Sequence, residues 1–355
     1  MAETNATILI PDISGFTEYM TTTELSHSSY AIHKLINAIV NYVGEEYEVS
    51  EIEGDAVLMI RKGPAPSQKE ILDTCLRIFN SFHLQRNWMQ YRTVCPCAAC
   101  VAIGNLTLKF VVHYGPLVEM KVGSFVKHSG TEMIVAHRLM KNSINNDEYV
   151  LITEKFLQQV PGSYEAIETE WVNATEEYAS IGKVDYRYML LNEARKNLSE
   201  PLSLQNHYAT DDTPYLQLTI ADNYKDVYRK IAKIPSRAKW MPGLQKVEQD
   251  APEVYVGSIH YCTFNDYHAT ISPLRMTLAP KEIIYAESCM IEEMNLRLIY
   301  EFVFTQIDDE TCGFASRFIN GGKSPIPESL YTAFYESLKQ MVESLKEYCE
   351  KMKKP

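Results

Sequence analysis

Between Ile8 and Thr153 the hydrophobic period alternates between that of a strand and that of a helix in a set order. This order constrains the fold more than any other feature of the chain. Ile8–Ile10 is a short apolar strand. Ile32, Leu35, Ile36, Ile39, Val40 and Val43 then recur at helical spacing and predict a helix over about Ser28–Glu46. A hairpin follows, with arms near Tyr47–Glu51 and Ala56–Ile60 and its turn at Gly54 and Asp55. Leu72, Cys75, Leu76, Phe79 and Phe82 mark a second helix, with Cys75 in its core stripe. Leu106–Tyr114 predicts a strand closed by Gly115 and Pro116, and Val118–Val126 another. Glu132–Lys141 predicts a helix and Tyr149–Thr153 a last strand.

That β-α-β-β-α-β order is the ferredoxin-like arrangement of an α+β domain. The second half differs. Leu216–Ile220 is a strand, Asn223–Ala232 a short helix, and five strand-like runs follow: Val254–Phe264, Ala269–Leu278, Ile283–Ile291, Leu296–Ile307 and Cys312–Ile319. The chain then carries one long helical stripe, Tyr331, Phe334, Tyr335, Leu338, Met341, Val342, Leu345 and Tyr348. A curved antiparallel sheet wrapped on that helix fits this order. Residues 193–214 lack sustained periodicity and separate the halves. The expected division is a domain over 1–195, a linker over 196–213 and a second domain over 214–355.

Composition narrows the function classes. The 355 residues carry a formal charge of −12, which argues against a nucleic-acid surface. No apolar run is long enough to predict a membrane span. The opening MAETNATILI lacks the basic and apolar regions of a secretory signal. Together with eight cysteines, this predicts a cytoplasmic protein with reduced thiols.

Asp12 ends the first strand, and Asp55 sits in the hairpin turn. In a ferredoxin-like sheet these are neighbours. Two facing carboxylates repel unless a divalent cation lies between them, whereas either acid alone reads as a turn cap. IPDISGFT resembles the first metal-binding segment of the class III nucleotidyl (adenylate and guanylate) cyclases, and IEGDAVLMI resembles their hairpin with the second metal-ligating Asp. LKFVVHYGPLV is similar to the next strand, and GTEMIVAHRLM to the helix that carries a transition-state Arg.

The resemblance covers about residues 7–142. It implies two Mg²⁺ or Mn²⁺ ions on Asp12 and Asp55, Arg138 as the catalytic Arg, a nucleotide substrate and a head-to-tail homodimer. The nucleotide-binding positions depart from the family. Its Asn falls on Ile134, its base-reading Lys on Glu51, and that Lys's acidic partner on Lys127. The reversed pair would either read another base edge or serve as a salt bridge left after loss of catalysis. The resemblance therefore implies a cyclase-like sensor or, alternatively, an active nucleotidyl cyclase.

TVCPCAACVAIGNL places Cys95, Cys97 and Cys100 within six residues. Thiolates this close can share Zn²⁺ or stand as ordinary thiols, and a fourth ligand is missing locally. His83 and His113 are the candidates for it.

Over about residues 213–355, YKDVYRKIAKIPSRAKWMPGLQKVEQ and the strand order resemble the START-like, helix-grip superfamily that includes polyketide cyclase-like proteins. The two-domain organisation resembles an uncharacterised bacterial family. The helix-grip resemblance implies an apolar small-molecule ligand, with Met276, Met290, Phe302, Phe304 and Tyr335 as candidate lining, or else a filled core. His260, His268, Glu287 and Arg297 are expected to be solvated strand residues.

Overall fold

The computed structural model describes residues 3–123, 125–160, 170–198, 213–250, 253–322 and 326–352. Most of the expected linker, 199–212, lies outside the described residues. The chain forms two compact α+β units, one of residues 1–90 and 97–201, the other of residues 91–96 and 202–355.

The first unit runs β1 (Glu3–Ser14), α1 (Phe16–Thr22), α2 (Leu25–Val40), β2 (Glu48–Glu53), β3 (Ala56–Lys62), α3 (Gln68–Arg92), α4 (Ala98–Ala102), β4 (Thr107–Val122), β5 (Phe125–Ser129), α5 (Thr131–Leu139), β6 (Tyr149–Thr153), α6 (Glu154–Leu157), β7 (Val172–Tyr178), β8 (Gly182–Leu190) and α7 (Asn192–Lys196). The sheet order is β2-β3-β1-β4-β6-β8-β7, with β5 paired to β4. One sheet face is apolar because Ala6, Ile8 and Ile10 alternate inward and meet Leu58, Val111 and Leu151 under Met133, Ala136 and Leu139 of α5. Burying each of the Ile, Leu, Val and Met side chains contributes roughly 1.5–3 kcal/mol. Cys75 is fully buried in α3, as its place in the stripe predicts.

Gly115 and Pro116 do not end a strand. β4 runs through them for 16 residues, and they pair with Ala6 and Asn5 of β1. On the other edge of β4, β6 pairs only as far as Val112 and β5 begins at Val118. A proline that cannot donate is tolerated where a strand has a single neighbour. β7 and β8, which carry mixed polar patterns, are not foreshadowed by periodicity.

The second unit runs β9 (Leu216–Ile220), α8 (Tyr224–Ala232), a 3₁₀ turn over Ile234–Lys239, β10 (Leu244–Gln249), β11 (His260–Phe264), β12 (His268–Ala279), β13 (Glu282–Ile291), β14 (Leu296–Gln306), β15 (Cys312–Asn320) and α9 (Glu328–Met352). Its sheet is a meander in which the first strand returns to pair with the last, in the order β10-β11-β12-β13-β14-β15-β9. Leu338, Met341, Val342, Leu345 and Cys349 bury one face of α9 against it. The strand expected over Val254–Phe264 begins only at His260, and β10 precedes it.

Candidate functional site

The antiparallel register of β1 and β3 sets Asp12 opposite Ala56, one residue after Asp55. Gly54, at a positive φ of 66°, closes the two-residue turn before it. Ile13 N donates to Asp55 O at 3.2 Å and holds the turn against β1. Asp12 continues the inward face of Ala6, Ile8 and Ile10, which explains an acid at the end of an apolar strand.

Burial raises the Asp55 carboxyl to about 6, and the neighbouring Asp12 charge and a side-chain hydrogen bond with it push the same way. The two carboxyls thus meet, as the hairpin placement predicts. Lys109, the cross-strand partner of Asp12 on β4, brings its Nζ to 3.3 Å from Asp12 Oδ2. Its ammonium offsets part of the negative charge. The donor set, two carboxylates with one ionising near neutrality, suits one hard divalent cation.

The other expected nucleotide-site residues lie around α5 and the β2–β5 edge. Lys127 Nζ donates to Glu51 Oε2 at 3.2 Å, so the charge-reversed pair closes within one chain. Beside it, Ser50 Oγ and His128 Nδ1 are 3.0 Å apart. Ile134 and Arg138, one helical turn apart on α5, are both exposed. Among the described residues no hydrogen bond or ion pair joins the Arg138 guanidinium to Asp12 or Asp55.

The cysteines gather at a second place. His27, on the first turn of α2, points Nδ1 at Cys97 Sγ (3.2 Å) and at Cys100 Sγ (3.6 Å). Cys95 is held beside Cys97 by the chain, since only Pro96 separates them, and the four ligand atoms lie within 4.8 Å of one another. Neither expected fourth ligand takes part. His83 is fully buried with Nε2 3.3 Å from Glu148 Oε1, and desolvation depresses its pKa. His113 is bound to Thr153 Oγ1 (2.8 Å) and Glu132 Oε2 (2.6 Å). His27 lies about 70 residues upstream of the cysteines, beyond the reach of spacing arguments.

In the second unit Phe302 and Phe304 are sealed in the core, where Phe304 packs edge-on against Tyr228. Met276 and Tyr335 flank that core, half-buried. Met290 does not join them. It alternates with Cys289 and Ile291, which face the core, and so points to the opposite face of β13.

Glu287 and His260 are not solvated. Glu287 receives both Arg237 Nη atoms at 2.6 Å each, with both side chains buried, and Arg237 Nε donates to Ile231 O at 2.7 Å. His260 is buried against Ser258 Oγ at 3.0 Å, and desolvation, then Arg237, lowers its pKa. His268 pairs with Glu293 at the surface, and Arg297 Nε donates to Ser288 Oγ. The alternation of Ile283, Tyr285, Cys289 and Ile291 puts Glu287 on the inward face, a signal the sequence already contains. A cleft of about 410 Å³ between α8 and the end of α9 is lined by Asp222, Asp226, Arg229, Lys230, Lys233 and Ser236 together with Cys349 and Met352, a mixed set with five charged side chains.

Residues 32–149 match a protein family of unknown function, DUF2652. The uncharacterized protein Rv2561/Rv2562 of Mycobacterium tuberculosis is 26% identical over 156 residues, 44% of this chain and 71% of that protein. Among solved structures, a bacterial light-regulated adenylyl cyclase is similar at 15% identity and a TM-score of 0.41 over 54% of this chain. The match spans 53% of that cyclase, about half its length. The guanylyl cyclase Cya2 is similar at 11% identity and a TM-score of 0.41, over 57% of this chain and 96% of that one. The adenylyl cyclase CyaB from P. aeruginosa is similar at 14% identity and a TM-score of 0.37, over 53% and 95%. Among the described residues no helix is long and apolar enough to cross a membrane.

Proposed function

We propose that the chain is a cyclase-like sensor. Its first unit binds a divalent cation between Asp12 and Asp55, and through it a nucleotide. Its second unit, which we read as START-like because a long helix packs on a seven-stranded antiparallel sheet, would take an apolar small molecule beside Met276 and Tyr335. The observation that carries this reading is the β1–β3 register that brings Asp55 onto Asp12, with Asp55 ionising near 6.

Mg²⁺ or Mn²⁺ held there would neutralise phosphate charge. Asp12 and Asp55 supply the oxygens, and Lys109 holds Asp12 in place. Glu51 and Lys127 satisfy each other, and Ile134 offers no hydrogen bond, which weighs toward binding rather than turnover.

One observation favours a second reading, an active cyclase working as a head-to-tail homodimer. Arg138 stands exposed on α5, and among the described residues no hydrogen bond or ion pair ties it to Asp12 or Asp55, which leaves it available to those acids of a partner.

Calorimetric titration of the full chain with Mn²⁺, alone and with each of the four nucleoside triphosphates, tests the proposal. Binding by the wild type and its loss in Asp12→Asn support it. Equal binding by Asp12→Asn sinks it. A cyclic product that requires Asp12, Asp55 and Arg138 establishes the second reading.

A further inference from the structure

We propose that His27, Cys95, Cys97 and Cys100 form a closed zinc site that clamps the α1–α2 corner to the cysteine segment. This inference does not depend on the Asp12–Asp55 reading. The ligand chemistry is that of zinc: three thiolates and one imidazole are soft and borderline donors, unlike the oxygen donors a Mg²⁺ or Ca²⁺ site needs.

The spacing also fits. Zn–S and Zn–N bonds of about 2.3 and 2.1 Å in a tetrahedron set nitrogen and sulfur about 3.6 Å apart. His27 Nδ1 lies 3.2 and 3.6 Å from two of the sulfurs, and all four ligand atoms fall within 4.8 Å of one another. Without an ion, three thiols and an imidazole have little reason to converge from two separate parts of the chain.

The surroundings are built as a second layer of support. Cys100 N donates to Cys97 Sγ at 3.4 Å, an N–H···S bond that stabilises a thiolate. Glu24, at the N-cap of α2, accepts from Ala98 N and Ala99 N at 3.4 and 3.2 Å. Tyr19 of α1 donates its hydroxyl to Ala99 O at 3.0 Å. α1 and the start of α2 are thus tied to the first turn of α4, which follows Cys97 and carries Cys100.

Four protein ligands leave no open position for water or substrate, so the ion is structural rather than catalytic. What it fixes is the corner directly after β1, the strand that carries Asp12.

The test is metal analysis of untagged full-length protein purified without chelator. About one zinc per chain is expected. Replacing zinc with Co²⁺ should give the intense visible absorption of a tetrahedral cobalt thiolate. His27→Ala should lower zinc occupancy and the unfolding temperature. His27→Cys, which keeps four ligands, should retain the metal and shift the cobalt spectrum toward that of an all-thiolate site. A zinc ratio near zero together with no tetrahedral cobalt spectrum overturns the proposal. So does full zinc occupancy with an unchanged cobalt spectrum in His27→Ala. A Cys97–Cys100 disulfide in freshly purified protein also overturns it.

Discussion

Lys127 Nζ lies 3.2 Å from Glu51 Oε2, a bond that links β5 to β2 within one chain. The pair occupies the positions at which the cyclase resemblance expects a base-reading Lys and its acidic partner, with the charges exchanged. A pair satisfied in this way has little hydrogen-bonding capacity left for a base. Restoring the polarity with Glu51→Lys and Lys127→Asp together should leave the fold intact, because a partly exposed ion pair is worth about 0–1 kcal/mol. We expect the double variant to gain ATP affinity in the presence of Mn²⁺ and each single variant to gain none. Thermal unfolding and calorimetry read the two effects separately.

Asp55 gives a pH signature. Its carboxyl is raised from 3.8 to about 6 by burial and by Asp12, so the folded chain holds this proton more tightly than the unfolded chain does. Its contribution therefore favours the fold at low pH and is lost as pH rises from about 3.8 through about 6. Asp55→Asn should make the metal-free protein more stable at pH 8 than the wild type and should remove stabilisation by Mn²⁺. Because protons and metal compete for one oxygen set, apparent Mn²⁺ affinity should fall about tenfold per pH unit below the Asp55 pKa. Denaturation midpoints with and without Mn²⁺ across pH 5–8 check both.

Continuous apolar runs locate the β1 strand and the second arm of the first hairpin, which are buried on both faces, and helical periods locate α5 and the long α9, which are amphipathic. Asp12 and Asp55 are legible as neighbours because the ferredoxin-like order sets the first strand beside the hairpin arms, and the antiparallel β1–β3 pairing brings the strand's end to the hairpin turn. The continuation of β4 through Gly115 and Pro116 is not, since it depends on β1 reaching back to Glu3 to pair with it. His27 is invisible for a similar reason. Its meeting with Cys97 and Cys100 is tertiary, and no local spacing encodes it. Glu287 is the instructive miss. Its inward position is written in the two-residue period of β13, but the Arg that makes burial tolerable comes from the 3₁₀ turn some 50 residues earlier.

That Arg237–Glu287 pair should behave as a buried ion pair does. Removing one partner leaves an unpaired charge in the core, so Glu287→Ala and Arg237→Ala should each cost about 3–5 kcal/mol. The double replacement Arg237→Met with Glu287→Leu should cost far less, or be neutral, because the desolvation penalty disappears with the charges. Urea unfolding of the full chain measures this. Equal losses in the single and double variants would show that packing, and not charge, is at stake.

Glu132 ties α5 to the sheet and is the reason residue 115 is a glycine. Its Oε2 accepts from His113 at 2.6 Å and its Oε1 from Lys155 at 2.6 Å. A Cβ on residue 115 would stand 2.6 Å from Glu132 Cγ, and two bonds hold that side chain in place. The hydrogen bond from His113, followed by that from Lys155, lowers the Glu132 carboxyl to about 2 despite burial. A depressed carboxyl stabilises the fold above its unfolded value of 4.5, and that contribution is lost as pH falls from about 4.5 toward 2. Glu132→Gln should therefore lower stability at pH 7 and flatten its decline below pH 4.5 relative to the wild type. Gly115→Ala should destabilise at every pH by about 1–3 kcal/mol, the usual range for overpacking. If Gly115→Ala costs nothing in the wild type, or costs as much in a Glu132→Ala background as in the wild type, the steric account of Gly115 fails.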